Sequence, residues 1–570
     1  MIDKDAYMKT HLSGPTLLGV ALALAALPGL AQAQDPLLNI LEQEVKREMQ
    51  VLGKQEPPAY YLSYRVAEVH EVSLGTSFGA LARSDETQAR YLTVTLRVGS
   101  PGMDNYHQLR GQFGFPSMGR IDLPLADEPA AIQQELWSAT SDAYQQAVAM
   151  LARVKANVAV KSEEGDKSPD FWLSEPNVFV EPPPKPAELG CDQTLWTKRL
   201  KEQSAVFLKD PAIFDASSGL ECQMMRKYFV SSSGDRIAEN CPANHLAVSA
   251  TIKAKDGMEL PLIKTYFAFS PDGLPSQETI MNDLQEMLQH LRALKAAPVA
   301  EPYSGPALLS GRAAGVFFHE IFGHRVEGQR LRNEEDAQTF KKKIKEPVLP
   351  AHLSVFFDPQ MKSFAGQPLT GYYRYDDQGC KGARVNVVES GILKRFLMSR
   401  TPIAGFPESN GHGRAQSFLQ PVARQSNLVV ETSRTHPRDE LRSALIALAK
   451  AQNKPYAYYF DEVEAGFTLT TRFLPNAFNI MPTLVYRVYT DGRPDEVVRG
   501  VDLIGTPLSM FSQIDQAGGP TEVFNGICGA ESGGVPVSAI CPMLLVKVIE
   551  TQKSAKSQER PIALPRPDAN

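Results

Sequence analysis

The chain has no phosphate-binding loop, no dinucleotide fingerprint and no internal repeat. Chemistry driven by a bound nucleotide and solenoid architectures therefore have no support in it. Basic residues are not in excess. The 59 Lys and Arg stand against 65 Asp and Glu, a formal net charge of -6. That balance argues against general nucleic-acid binding, because neutralising phosphates requires a basic face. The one dense basic run, Lys341-Lys342-Lys343-Ile344-Lys345, is followed at once by Glu346 and reads as a solvated helix surface. Beyond the first 33 residues no segment has the length or apolarity of a membrane span, so no stable membrane anchor is expected.

What is present is an ordinary globular composition, 43% apolar and 22% charged. A length of 570 residues exceeds what one hydrophobic core holds and predicts two or three domains. Residues 1–33 read as an export signal. Lys9 precedes the apolar stretch Leu17 to Leu30, and Ala31-Gln32-Ala33 forms a small-x-small cleavage site. The mature chain is expected to begin near Gln34, with Met8 the expected true start of the full chain ahead of the signal, and to be released into a periplasm. Disulfides persist in such a compartment, and Cys222 and Cys241 flank the hairpin pattern YFVSSSGDRIA almost symmetrically. They are the candidate disulfide; the pattern leaves Cys191, Cys380 and Cys541 without a role.

The periodicities predict an α+β fold: an N-terminal helix-plus-sheet domain, then a larger mixed, β-rich C-terminal domain. The N-terminal domain covers 34–161, with a helix at Leu37–Leu52, strands between Tyr60 and Gly99, and a long helix at Ala130–Val158. Residues 162–190, ending in Glu181-Pro182-Pro183-Pro184-Lys185-Pro186, read as a Pro-rich linker or extended crossing. An α+β segment follows at 191–300, with its hairpin at 219–245. Residues 301–552 form the β-rich part that carries the candidate metal site, and 553–570 read as a disordered tail.

The chemistry concentrates in GRAAGVFFHEIFGHRVEG, residues 311–328. Small and apolar residues predict a buried helix leading to His319 and Glu320. Zinc takes neutral imidazole or thiolate ligands and keeps a position open for water, and an adjacent carboxylate can take that water's proton. The usual His-Glu-x-x-His spacing puts both histidines on one helical face. Here His319 and His324 are five residues apart, which on a regular helix separates their side chains by about 140°. They converge only if the helix widens or ends between them, and Gly323 permits that. Without such a break they are two helix histidines that merely pack.

The segment His319-Glu320-Ile321-Phe322-Gly323-His324, with Glu327-Gly328 behind it, resembles the H-E-x-x-x-H motif of the TldD/PmbA family of metallopeptidases. Further segments fall in that family's order. They are Tyr375-Asp376-Asp377-Gln378-Gly379 with Val387 to Leu393, then Val498 to Leu508, and the cysteine loop at 526–536, GICGAESGGVP. The resemblance covers roughly residues 215–550. It implies zinc held by His319, His324 and Cys528, with Glu320 as catalytic base. It also implies unfolded or short peptides as substrates, added as a strand to a sheet edge, and a homodimer or a heterodimer with a related subunit.

Several alternatives remain open in the residues themselves. Cys528 lies between Gly526 and Gly529 in what reads as a flexible loop, and could instead pair with Cys541. Glu327 is either a third ligand or the partner of a ligating His. His412, in a Gly-rich loop, is a candidate for orienting substrate or stabilising an oxyanion, or a plain loop histidine. Asp376-Asp377 is a paired carboxylate site or, with Gly379 behind it, a turn. The competing functions are a non-catalytic exported peptide binder of the same fold and a zinc amidase acting on a non-peptide or cell-wall bond.

Overall fold

A computed structural model describes residues 35–109, 119–160, 166–333, 336, 338–470 and 478–554. The segment read as an export signal, 1–33, and residues 555–570 of the segment read as a disordered tail lie outside these residues. Among those described, no helix is long and apolar enough to cross a membrane.

The chain opens with α1 (Pro36–Leu52). Asp35 caps it by accepting from the Leu38 N–H at 3.1 Å, and Pro36 occupies the first turn, where no N–H is needed. Two long strands follow, β1 (Ala59–Ser77) and β2 (Ala80–Ser100). They are joined through Phe78 and Gly79, both in the left-handed region, a two-residue turn whose twist suits the hairpin. Helix α2 (Pro129–Val160) and, after the Pro-rich crossing, α3 (Gln193–Ala205) lead to β3 (Ile213–Ser231), β4 (Arg236–Lys253) and β5 (Glu259–Ala268). Helix α4 (Gln277–Ala296) completes the first half.

These strands form one sheet in the order β2-β1-β3-β4-β5. The segments 34–161 and 191–300, adjacent units in the sequence reading, are therefore joined strand to strand: β1 pairs with β3 from Ser63↔Ser231 to Ser77↔Ser217. The crossing belongs to the same layer, since Val178–Val180 runs parallel to Arg236–Ala238 of β4. Alternation divides the two faces of the sheet. Even-numbered residues such as Leu62, Tyr64, Val66, Leu220, Leu246 and Val248 are buried in clusters with the helices. Odd-numbered ones such as Arg65, Lys227 and Glu239 line a cavity toward the second half.

The same alternation removes the Cys222–Cys241 disulfide. Cys222 lies opposite Asn244 and Cys241 opposite Met225, an offset of three positions along the ladder. An odd offset puts the two thiols on opposite faces of the sheet, so symmetry about a turn is not proximity. The basic run also differs from its helical reading: residues 341–346 are turns, with Lys345 at φ 67°.

A second sheet is built wholly from residues 303–553. Its strands include β6 (Tyr303–Leu309), β7 (Leu353–Phe357), β8 (Val385–Glu389), β9 (Asn427–Thr432), β10 (Tyr456–Thr468), β11 (Phe478–Tyr489), β12 (Val501–Gly505), β13 (Ile514–Ala530) and β14 (Gly533–Lys553). The hub is β14, which pairs with β9, β13, β12 and β6 along its length. Helix α5 (Gly311–Ile321) packs against β14 and β10.

One ion cluster locks the two halves together. Asp377 accepts from Lys227 Nζ at 3.1 Å and the Ala415 N–H at 2.9 Å, with Arg65 at 3.4 Å. Asp376 beside it accepts the N–H groups of Gln378, Cys380 and Gly413, so the pair is a turn and an inter-lobe lock. Burial alone would raise the Asp377 carboxyl, but Lys227, Arg65 and these hydrogen bonds hold it at about 2, below the ordinary 3.8. A depressed folded-state pKa contributes stability that is complete above the unfolded value and disappears as pH falls from about 4 to about 2. Asp377→Asn is expected to cost about 2 kcal/mol at neutral pH, with the gap to wild type closing on acidification. Denaturant unfolding across that pH range measures it, and a gap independent of pH would rule out the ion-pair account.

Candidate metal centre

Helix α5 starts where Ser310 Oγ accepts from the Ala313 N–H at 3.1 Å. The helix is buried except at Arg312. A Cβ on Gly315 would sit 3.2 Å from Ala539, so only a small residue lets α5 lie this close to β14. Phe317, Phe318 and Phe322 anchor its far end against Phe478, Phe511 and Phe340.

The helix then stops between the two histidines. Its last residue is Ile321, Phe322 turns out at φ -113°, and Gly323–Val326 continue as a 3-10 turn. Gly323 is required for space: a Cβ there would lie 1.9 Å from Gln425 Oε1. The Gln425 amide in turn donates to the His319 carbonyl at 3.3 Å. Arg325 satisfies the freed carbonyls of Glu320 and Ile321 at 2.7 and 3.2 Å and ties the turn to Thr468 at 2.9 Å. The break changes the direction of the chain, and the two imidazoles meet with ring centres 5.0 Å apart at 81°.

Cys528 reaches them from β13. The sequence reading put it in a flexible loop; the structure places it in a strand, paired with Val535 of β14. Cys541 lies opposite Glu522, roughly 20 Å further along the ladder, so a Cys528–Cys541 disulfide is excluded. The ligand atoms of His319, His324 and Cys528 all lie within 4.8 Å of one another. Cys528 Sγ is 3.4 Å from His324 Nε2, close to the edge of about 3.5 Å that tetrahedral zinc with one sulfur and one nitrogen ligand requires. The donor set fits a zinc-type ion.

Charges around the cluster favour a thiolate. Burial alone would raise the Cys528 thiol, but the imidazoles of His324 and His319 hold it well below its usual value. Burial alone would lower His324, but Cys528 and Glu327 hold its proton well above the ordinary range, and metal binding must displace that proton. Glu327 is fully buried and faces His324 Nδ1 at 3.1 Å while accepting from Arg330 at 2.8 Å. It stands behind the histidine and outside the cluster of possible metal ligands. Burial works to raise its carboxyl, yet His324 and Arg330 keep it at about 2.

His412 is placed elsewhere, contrary to a role with substrate. It is fully buried, contacts Asn410 and Ser426, and does not line the metal cavity. Burial lowers its pKa to about 3, so it is a neutral structural imidazole. The sequence reading missed Arg424, which is fully buried and donates to Cys528 Sγ at 3.2 Å. Its segment, Val422 to Gln425, carries no motif that could have pointed to it. Gly466 was also missed: a Cβ there would lie 2.7 Å from Glu320 Cγ.

His319, Glu320, His324 and Cys528 open onto a cavity of about 490 Å³, walled by residues 463–468 of β10, 524–530 of β13 and Glu531 in the turn after it. A second cavity, of about 500 Å³, lies against the open face of the first sheet. Ile527, 74% exposed, lines both.

Fold and site together define a mixed α+β protein in which a histidine at a helix end, a histidine in the turn after it and a strand cysteine converge. Residues 302–553 match the PmbA/TldA metallopeptidase C-terminal domain. A metalloprotease from Archaeoglobus fulgidus is 27% identical over 272 residues, 46% of this chain and 56% of that protein. A zinc metalloprotease TldD homolog from Saccharolobus solfataricus is 24% identical over 332 residues, 57% of this chain and 68% of that protein. The crystal structure of TldE from Thermococcus kodakarensis shares the fold, with a TM-score of 0.59 at 13% identity over 91% of this chain and 100% of that one. Residues 302–553 thus carry a C-terminal domain of the PmbA/TldA metallopeptidase type. The chain spans about half the length of the archaeal metalloproteases it matches, 56% and 50% for two of them.

Gly323→Ala is expected to push the turn off Gln425 and weaken metal binding about 10–100-fold, with the secondary structure kept. Zinc competition against a chelator, alongside circular dichroism, reads this; unchanged affinity would show that the turn does not need the missing side chain.

Proposed function

We propose that this protein is a zinc-dependent peptidase that hydrolyses peptide bonds of unfolded or short peptides, with His319, His324 and Cys528 on the metal and Glu320 as general base. One observation carries the reading. Three ligand atoms within 4.8 Å share a cavity with a carboxylate one residue from a ligand and with the strand walls beside it. The metalloprotease names of the relatives support the same class.

A bound zinc would supply Lewis acidity, polarising the scissile carbonyl and acidifying a water beside it. Glu320 takes that water's proton and returns it to the leaving amine. Gly466 leaves room for the Glu320 side chain against β10. Glu327 holds His324 by Nδ1, leaving Nε2 beside Cys528 Sγ, where it would serve as a ligand to a bound metal. Arg424 offsets the negative charge of the Cys528 thiolate.

Strand geometry supports an extended peptide as substrate. Residues 461–468 of β10 pair with β11 on one side, and β6 reaches only Tyr458–Phe460 on the other. Residues 521–530 of β13 pair only with β14 among the described residues. Both free edges face the cavity, and a peptide added to either would be held through its backbone with little sequence selectivity. The dimeric state, with a second copy or a related subunit, and the exported, periplasmic location belong to this proposal.

Purified wild type is expected to carry about one zinc per chain, with Cys528→Ala losing it and Glu320→Gln keeping it. On an unfolded-protein digest, Glu320→Gln should lower kcat about 10²–10⁴-fold. A metal-free wild type, or a fully active Glu320→Gln, would defeat the peptidase reading and favour a peptide-binding protein. Gly466→Ala should likewise keep zinc while lowering kcat, because the added methyl displaces Glu320 and no ligand.

A further inference from the structure

Two cysteines meet on the helix-covered face of the first sheet. Cys222 lies in the middle of β3 and is 1% exposed, inside the core cluster shared with α3 and α4. Cys191 comes at the end of the Pro-rich crossing, is partly exposed, and packs against that same cluster. Both therefore touch one core cluster, Cys222 from the strand and Cys191 from the crossing laid over it.

Both sulfurs are held by rigid neighbours. Val72 of β1 lies directly opposite Cys222. Gly190, at φ 105°, brings the chain so close that a Cβ on it would be 3.1 Å from Val72 Cγ2. On the other side of Cys191, Asp192 caps α3 by accepting from the Leu195 N–H at 2.9 Å. The crossing is thus pressed onto the strand pair that carries Cys222, and the helix start fixes the direction in which Cys191 leaves it.

We propose that Cys191 and Cys222 are a disulfide site, closed when the protein meets a thiol–disulfide exchange oxidant. The bond would clamp the end of the Pro-rich crossing and the start of α3 to the centre of the first sheet. Exposure sets the order of events. The Cys191 thiolate, the only one of the pair open to solvent, attacks the oxidant's disulfide, forms a mixed disulfide and releases one thiolate. Cys222 then loses its proton and attacks the Cys191 sulfur, expelling the second thiolate. Two protein thiols are oxidised and one external disulfide is reduced to two thiols. The neighbouring Cys222 thiol lowers the Cys191 pKa, in keeping with Cys191 as the first nucleophile. Closing residues 192–221 into a loop restricts the unfolded chain and leaves the packing as it stands. The site is independent of the metal centre and of any peptidase activity.

The test uses the full-length protein incubated with oxidised glutathione, alkylated under denaturing conditions, then digested without reductant for peptide mapping. The expected result is a Cys191–Cys222 cross-linked peptide, a loss of two alkylatable thiols per chain, and their return after dithiothreitol. Cys241→Ser should give the same cross-link. Alkylation of both Cys191 and Cys222, a lasting glutathione adduct on Cys191, or a Cys222–Cys241 peptide would each overturn the proposal. If a Cys191→Ser control fails to fold, mapping of the wild type alone still decides.

Discussion

Ending a helix at the right residue is the constraint on which the metal centre rests. An unbroken α5 would send His319 and His324 in directions about 140° apart, and no single ion could bind both. The break at Phe322 is enforced from outside the helix. Gln425 fills the space in which Gly323 would carry a side chain, and Arg325 takes up the carbonyls that the break releases. The packing of Gly315 against β14 and the phenylalanine anchor behind it keep the helix from sliding to relieve that contact.

Behind the ligands runs a chain of charges with alternating sign, buried at Cys528, Arg424 and Glu327 and reaching the surface at Glu531. Cys528 contacts Arg424, Arg424 faces Glu327 at 3.6 Å, and Glu327 binds Arg330, which binds Glu531. Buried ion pairs of this kind seldom add net stability, because desolvation consumes most of the attraction. Their value here is positional. Glu327 can orient His324 only while its own charge is matched, and Arg330 and Arg424 supply the match from two different segments.

The long hairpin of β13 and β14 sets what the centre can reach. Cys528 and Ile527 are neighbours in β13 and point to opposite sides of it. One sits among the ligands, while the other stands between the metal cavity and the cavity under the first sheet. That sheet buries its even-numbered face under helices and leaves its odd-numbered face toward the C-terminal half, held in place by Asp377 with Lys227 and Arg65. The same parity separates Cys222 from Cys241 and brings Cys222 toward Cys191.

Helices α1 and α2, the β-rich second half and the residues of the metal motif were legible in the sequence. Each depends on spacing within a short window, on apolar periodicity or on histidines five apart. Pairings between distant segments were not legible, since ladder register leaves no local trace: β1 with β3, Cys528 within a strand, and Arg424 against its sulfur. His412 shows the same limit, because a histidine in a Gly-rich loop reads alike whether its pocket is open or sealed. The sequence by itself determined which side chains were available for metal chemistry, because ligand type is a property of each residue. The tertiary structure alone decided which of them meet, because convergence depends on where α5 is stopped and on the register that carries β13 to it.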